Sequence, residues 1–123
     1  MIKRIAVVGS KKYNDYEEAK HYINHCIADM KEGNTFVFAT CGCEGAEMLA
    51  ERYAKENGYE IEIYPTLWET FGSAGGAVRN KQMFNSSDLI ICFWDGIIGE
   101  TCSVMDYAER IGKEVNILRV YKH

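Results

Sequence analysis

"RIAVVG", residues 4–9, is the stretch on which the fold turns. After Arg4 it is a short apolar run, rich in β-branched residues, and it stops at Gly9-Ser10. A run this short is a strand rather than a helix, and its lack of polar alternation predicts burial on both faces. From Asp15 the period changes. Tyr16, Ala19, Tyr22, Ile23, Cys26, Ile27 and Met30 recur at helical spacing, and Gly33 ends the pattern. A buried strand followed by an amphipathic helix is the first half of a strand–helix–strand unit.

The same alternation continues. "TFVFATC" (35–41) is a second buried strand, and Ala46, Leu49, Ala50, Tyr53 and Ala54 form a helical stripe closed by Asn57-Gly58. "EIEIYP" (60–65) alternates polar and apolar, which suits an edge strand. "LIICFW" (89–94) is a buried strand, and Val104, Tyr107, Ala108 and Ile111 form a last helical stripe ended by Gly112. "EVNILRV" (114–120) is the final strand. The expected fold is α/β: a Rossmann-like three-layer domain over residues 1–123, with a parallel sheet of about five strands and helices on both faces.

The 123 residues suffice for one domain with a core of its own, and the apolar fraction of 47% is ordinary. A formal charge of −4 argues against broad nucleic-acid binding, which needs clustered Lys and Arg. It leaves room for a small anionic ligand in a local pocket. Five cysteines at irregular spacing predict a reduced, cytoplasmic protein. The apolar part of "MIKRIAVVG" is too short for a signal peptide, and no run is long enough to span a membrane.

In open parallel sheets, ligands bind beyond the carboxyl ends of the strands, so those loops are where chemistry is sought. Gly9-Ser10 offers backbone N–H groups, and Lys11 and Lys12 add charge. Alone this is an ordinary strand-end turn; a phosphate or ribose contact is the functional alternative. "CGCEGAE" (41–47) places Gly42 and Gly45 at a helix start. Glu44 and Glu47 suit the helix dipole, and Glu47 is also a potential ribose acceptor. Cys41-x-Cys43 lacks the further ligands that zinc requires, and His21 and His25 sit on one helix face without a zincin glutamate, so no metal or cofactor is expected. In "FWDGIIGETCS", Asp95-Gly96 is a turn and Thr101 is placed to cap the last helix. Glu100 puts negative charge where an anion would sit.

"WETFGSAGGAVRNKQMF", residues 68–84, spends Gly72, Gly75 and Gly76 just before a helical pattern. Glycines there allow close approach to a ligand or to a neighbouring backbone. Arg79 then brings a planar fork suited to phosphate, and Trp68 a face for base stacking. Close helix–sheet packing, with Arg79 in an ion pair, explains the stretch equally.

Taken together, "VVGSKKYND", "CGCEGAEMLAERYA", "PTLWETFGSAGGAVRNKQM" and "SSDLIICFWDGIIGETCSVMDYAERIGK" resemble, in order and spacing, the YspA-like branch of the SLOG superfamily. That superfamily groups the LOG phosphoribohydrolases, the DprA/Smf proteins and the YpsA-type proteins. The resemblance implies a sheet that binds a nucleotide or nucleotide-derived small molecule. It implicates Gly9, Ser10, Lys11, Gly42, Gly45, Glu47, Trp68, Gly72, Gly75, Arg79, Asn80, Asp95, Gly96 and Thr101 as ligand-binding residues. The branch usually has arginine at Lys11 and aspartate at Glu47, and Gly-Gly-Ala where this chain has Cys41-Gly42-Cys43. LOG enzymes carry a catalytic glutamate where Val104 stands here. A binding or ligand-sensing module is therefore expected ahead of the alternative, an N-glycoside hydrolase of nucleoside monophosphates in which Asp95 and Glu100 would be the catalytic carboxylates. Nucleic-acid association by analogy to DprA/Smf is the weakest reading. Family analogy alone suggests a homo-oligomer.

Overall fold

The computed structural model describes residues 1–64, 81–96 and 100–120, with side chains described at all of these except 100–104. Five strands form one parallel sheet: β1 (Ile2–Gly9), β2 (Thr35–Thr40), β3 (Glu60–Ile63), β4 (Leu89–Trp94) and β5 (Glu114–Arg119), in the order β3-β2-β1-β4-β5. β1 sits at the centre, flanked by β2 and β4, and these three strands pair on both edges and carry the buried apolar runs. Ile5 stands opposite Phe38 of β2 on one side and Leu89 of β4 on the other.

Helices α1 (Tyr16–Ile27) and α2 (Ala46–Glu56) follow β1 and β2. Residues 81–85 are helical ahead of β4, and α3 (Glu100–Arg110) precedes β5. The period of two along the strands assigns side chains to two cores. Ile5, Val7, Phe36, Phe38, Leu89, Ile91 and Phe93 pack against α1 and α2. Ala6, Val8, Ala39, Ile90 and Cys92 pack against Met83, Phe84 and Ala108 on the opposite face. Each large apolar side chain buried in this way contributes about 1.5–3 kcal/mol. The sheet is therefore doubly wound, as the alternation predicts.

The expected stripes of α1 and α2 are the buried or half-buried ones. Tyr16, Ala19, Ile23 and Ile27 face the first core along α1, with Tyr22, Cys26 and Met30 at its margin. Asp15 caps α1, its Oδ1 accepting from the Glu18 N–H at 3.1 Å. His21 and His25 are exposed on the helix surface. Differences are confined to ends. The strand expected over 60–65 stops at Ile63, and α1 finishes in a 3-10 turn at Ala28–Met30. β1 begins earlier than its apolar run because Thr35 N–H donates to Met1 O at 2.9 Å, extending the pairing with β2.

Candidate functional site

The strand order reverses direction between β1 and β4. The chain leaves β1 towards β2 on one side and leaves β4 towards β5 on the other. At such a switch the two departing loops diverge and leave a crevice above the strand ends. Gly9 and Phe93 are register partners there, so Gly9-Ser10 and Asp95-Gly96 flank the crevice.

The β1 loop is fixed by its neighbours. Ser10 N–H donates to Phe93 O at 3.0 Å, and Ser10 O accepts from the Ala46 N–H, also at 3.0 Å. Ser10 Oγ accepts from the Lys12 N–H. Tyr13 is buried, stacks on Phe93 with ring centroids 5.2 Å apart, and donates its hydroxyl to Glu18 Oε1 at 2.7 Å. Burial, reinforced by the Glu18 carboxylate, pushes the Tyr13 hydroxyl well above its ordinary pKa. The Ser10 N–H is thus spent on the β1–β4 pairing, as in an ordinary strand-end turn. Lys11 and Lys12 remain exposed at the rim.

Gly45 is the N-cap of α2 and lies directly against this loop. A Cβ there would stand 2.2 Å from Ser10 O and 2.5 Å from the Lys11 carbonyl carbon. Gly9 is similarly confined, against Phe93 O and Ala46. Gly45 is demanded by backbone-to-backbone packing of the first two strand-end loops, and Gly9 by its close approach to Phe93 of β4.

The β2–α2 loop is held from below by two carboxylates of α2. Thr40 Oγ1 donates to Glu51 Oε2 at 3.1 Å while accepting from the Gly42 N–H at 3.2 Å. Glu47, only 5% exposed, accepts from the Cys41 N–H through Oε1 at 2.8 Å. Its Oε2 lies 2.8 Å from Cys41 Sγ. Glu47 therefore faces its own loop, a placement that its position in the first helical turn did not reveal.

Cys41 and Cys43 are joined in a disulfide, with Cα atoms 5.4 Å apart. This corrects the expectation of a fully reduced chain. The loop turns sharply enough at Gly42 to bring two sulfurs together across one residue. Cys26 and Cys92 are thiols. Among the described residues, Cys41, Cys43 and Glu47 are the cluster whose side-chain chemistry could hold a metal, their ligand atoms lying within 4.8 Å of one another. While the sulfurs are bonded to each other they are not thiolate ligands.

On the far side of the crevice, Asp95 and Gly96 are half-buried. The Arg119 guanidinium, from the end of β5, lies against Gly96; a Cβ there would meet its Nη2 at 2.6 Å. Sequence reasoning missed both Arg119 and Tyr13. An arginine ending an edge strand has no motif, and a tyrosine in a polar loop carries no periodicity.

Trp68, Gly72, Gly75, Arg79 and Asn80 lie outside the described residues, as do the side chains of Glu100 and Thr101. α3 starts at Glu100, which places Thr101 inside the first turn rather than at the cap. No helix among the described residues is long and apolar enough to cross a membrane.

No curated protein matches the sequence. A family profile does, over residues 3–71, more than half the chain. The matched part holds Gly9 to Lys11, Gly42 to Glu47 and Trp68, whereas Arg79, Asn80, Asp95, Gly96 and Thr101 fall beyond it. With β1 to β3 and the loops that close on one another inside the match, the chain belongs to the YspA, cpYpsA-related SLOG family.

Proposed function

We propose that the chain binds a nucleotide-derived small molecule above the carboxyl ends of β1 and β4, as a binding or ligand-sensing module. The observation that carries this reading is the reversal of strand order between β1 and β4, with Gly9-Ser10 and Asp95-Gly96 on its two sides. Family membership supports a nucleotide-related ligand. The crevice of this acidic chain is rimmed by cations, Lys11 and Lys12 on one side and Arg119 on the other, which favours an anionic ligand. In this reading Trp68 stacks on the base, and Arg79 and Asn80 hold phosphate and ribose.

The test is thermal unfolding against a panel of nucleoside mono-, di- and triphosphates and ADP-ribose-like compounds. A ligand at about 100 times its dissociation constant adds roughly 2.7 kcal/mol, a clear rise in melting temperature. A panel that shifts nothing overturns the proposal. Mass spectrometry of the same mixtures detects any released base, the mark of a hydrolase in which Asp95 is the carboxylate at the crevice.

A further inference from the structure

We propose that Cys41 and Cys43 form a thiol–disulfide exchange site, with Glu47 carrying the proton of the Cys41 sulfur and an external dithiol as co-reactant. The proposal is independent of what binds in the crevice.

Three observations converge on these residues. The two sulfurs are bonded to each other across Gly42. Glu47 Oε2 stands 2.8 Å from Cys41 Sγ, where a thiol would donate to it. The carboxylate is buried and held in register by the Cys41 N–H on its other oxygen. One sulfur thus has both a disulfide partner and a proton acceptor in the same arrangement.

The surroundings suit exchange. Both cysteines are half-buried, in a loop whose Gly42 and Glu44 are exposed, so an incoming thiol has access. The loop runs into the N-terminus of α2, whose partial positive charge stabilises a thiolate nearby. The other two described cysteines lack this setting. Cys92 is buried within β4, and burial pushes the Cys26 thiol up from its ordinary pKa.

The step balances as follows. One thiol of the dithiol loses its proton to solvent and attacks Cys43 Sγ. Glu47 first takes up a proton from solvent; the Sγ–Sγ bond then breaks, and the Cys41 sulfur leaves with the electron pair and takes that proton, which returns Glu47 to the carboxylate. The second thiol of the dithiol, deprotonated in turn, attacks the mixed disulfide and releases Cys43 as a thiolate that picks up a proton. Two electrons pass from the dithiol to the pair, giving two protein thiols and one external disulfide. Run backwards, Glu47 is the base that takes the Cys41 proton.

The experiment uses the full chain with dithiothreitol as the dithiol. After equilibration with oxidised dithiothreitol, alkylation in denaturant should leave unlabelled the peptide that holds Cys41 and Cys43. Reduction should then add two labels, both in that peptide, in a single two-electron transition across dithiothreitol ratios. Glu47→Gln should slow reduction about tenfold or more near neutral pH and flatten its pH profile, as loss of a proton carrier does. Cys26→Ser should change neither. Full labelling of Cys41 and Cys43 in the oxidised sample overturns the proposal, whatever the stability of the variants. So does a Glu47→Gln protein with the rate and pH profile of the wild type, or a reduced pair that takes up about one zinc per chain and resists oxidation.

Discussion

Gly45→Ala tests whether the first two strand-end loops are packed as described. A Cβ at residue 45 would stand 2.2 Å from Ser10 O, 2.5 Å from the Lys11 carbonyl carbon and 2.6 Å from Lys11 Cα. All three neighbours are backbone, so no side chain can swing aside. Reaching the 3.4 Å of ordinary contact requires a relative displacement of about 1.2 Å between the β1 loop and the start of α2. That movement breaks the Ala46 N–H to Ser10 O bond, worth about 0.5–1.5 kcal/mol. Alanine must also take φ 80°, ψ −132°, a conformation that costs an L-residue about 1–3 kcal/mol. The expected loss is about 2–4 kcal/mol, or roughly 10 °C in melting temperature for a domain of this size. Urea unfolding followed by circular dichroism measures it. Gly33→Ala is the control, because Gly33 also has positive φ (76°) but nothing within 4 Å of a Cβ. Its loss should be about 1 kcal/mol, conformational strain alone. If Gly45→Ala costs no more than Gly33→Ala, the contact between the loops is not what demands glycine there.

Alkaline stability should fall because of buried tyrosines. Burial raises the Tyr16 and Tyr53 hydroxyls to about 12 from 10.0, and Tyr13 and Tyr22 are raised further. Their contribution is fully present below pH 10, where both states are protonated. Above it the unfolded chain ionises first, so stability drops by about 1.4 kcal/mol per pH unit for each tyrosine until the folded groups titrate. Urea midpoints that stay level from about pH 9 to pH 11 would contradict this. Arg79→Lys should weaken binding of phosphorylated ligands although it keeps the charge, because the bidentate fork is lost; titration calorimetry giving equal affinities would make Arg79 a point charge or a structural residue. Glu100 stands at the start of α3, and a carboxylate at a helix N-terminus generally competes with an anion for the N–H groups there. Glu100→Gly should therefore improve binding of a nucleoside monophosphate by ~1 kcal/mol and leave the nucleoside unchanged; equal gains for both would point to a steric effect.

The fold was legible wherever a side-chain period records which face is covered. "LIICFW" has no polar residue, and its alternate members do enter opposite cores: Leu89, Ile91 and Phe93 on one side, Ile90 and Cys92 on the other. The glycine stops after α2 and α3 stand where the apolar stripes end. The site was legible only as a set of loops. Gly45 was read as a glycine at a helix start, and its close approach to Ser10, far away in sequence, has no local signature. Glu47 sits where any acidic residue would favour a helix start, so its inward turn onto Cys41 depends on a loop conformation that no local pattern encodes. The Cys41–Cys43 bond is of the same kind. The spacing was weighed only as a metal site in a reduced chain, and the turn at Gly42 that joins the two sulfurs has no local signature.

The seam between β1 and β4 has a consequence for the order in which the chain assembles. β1, β2 and β3 pair with neighbours that are close in sequence, so they can zip together with little loop to close. The β1–β4 pairing joins residues 84 apart, and at its base Arg4 and Asp88 exchange two hydrogen bonds, Arg4 N–H to Asp88 Oδ2 at 2.9 Å and Asp88 N–H to Arg4 O at 2.8 Å. Long closures carry the larger entropy cost and form late. The same seam, running up the sheet, ends at Gly9 and Phe93 under the proposed crevice. A molecule lodged there touches both the early and the late half of the chain. Occupancy would then act as a kinetic latch, slowing the sub-global opening in which β4 and β5 part from β1, and amide exchange along β4 would record it.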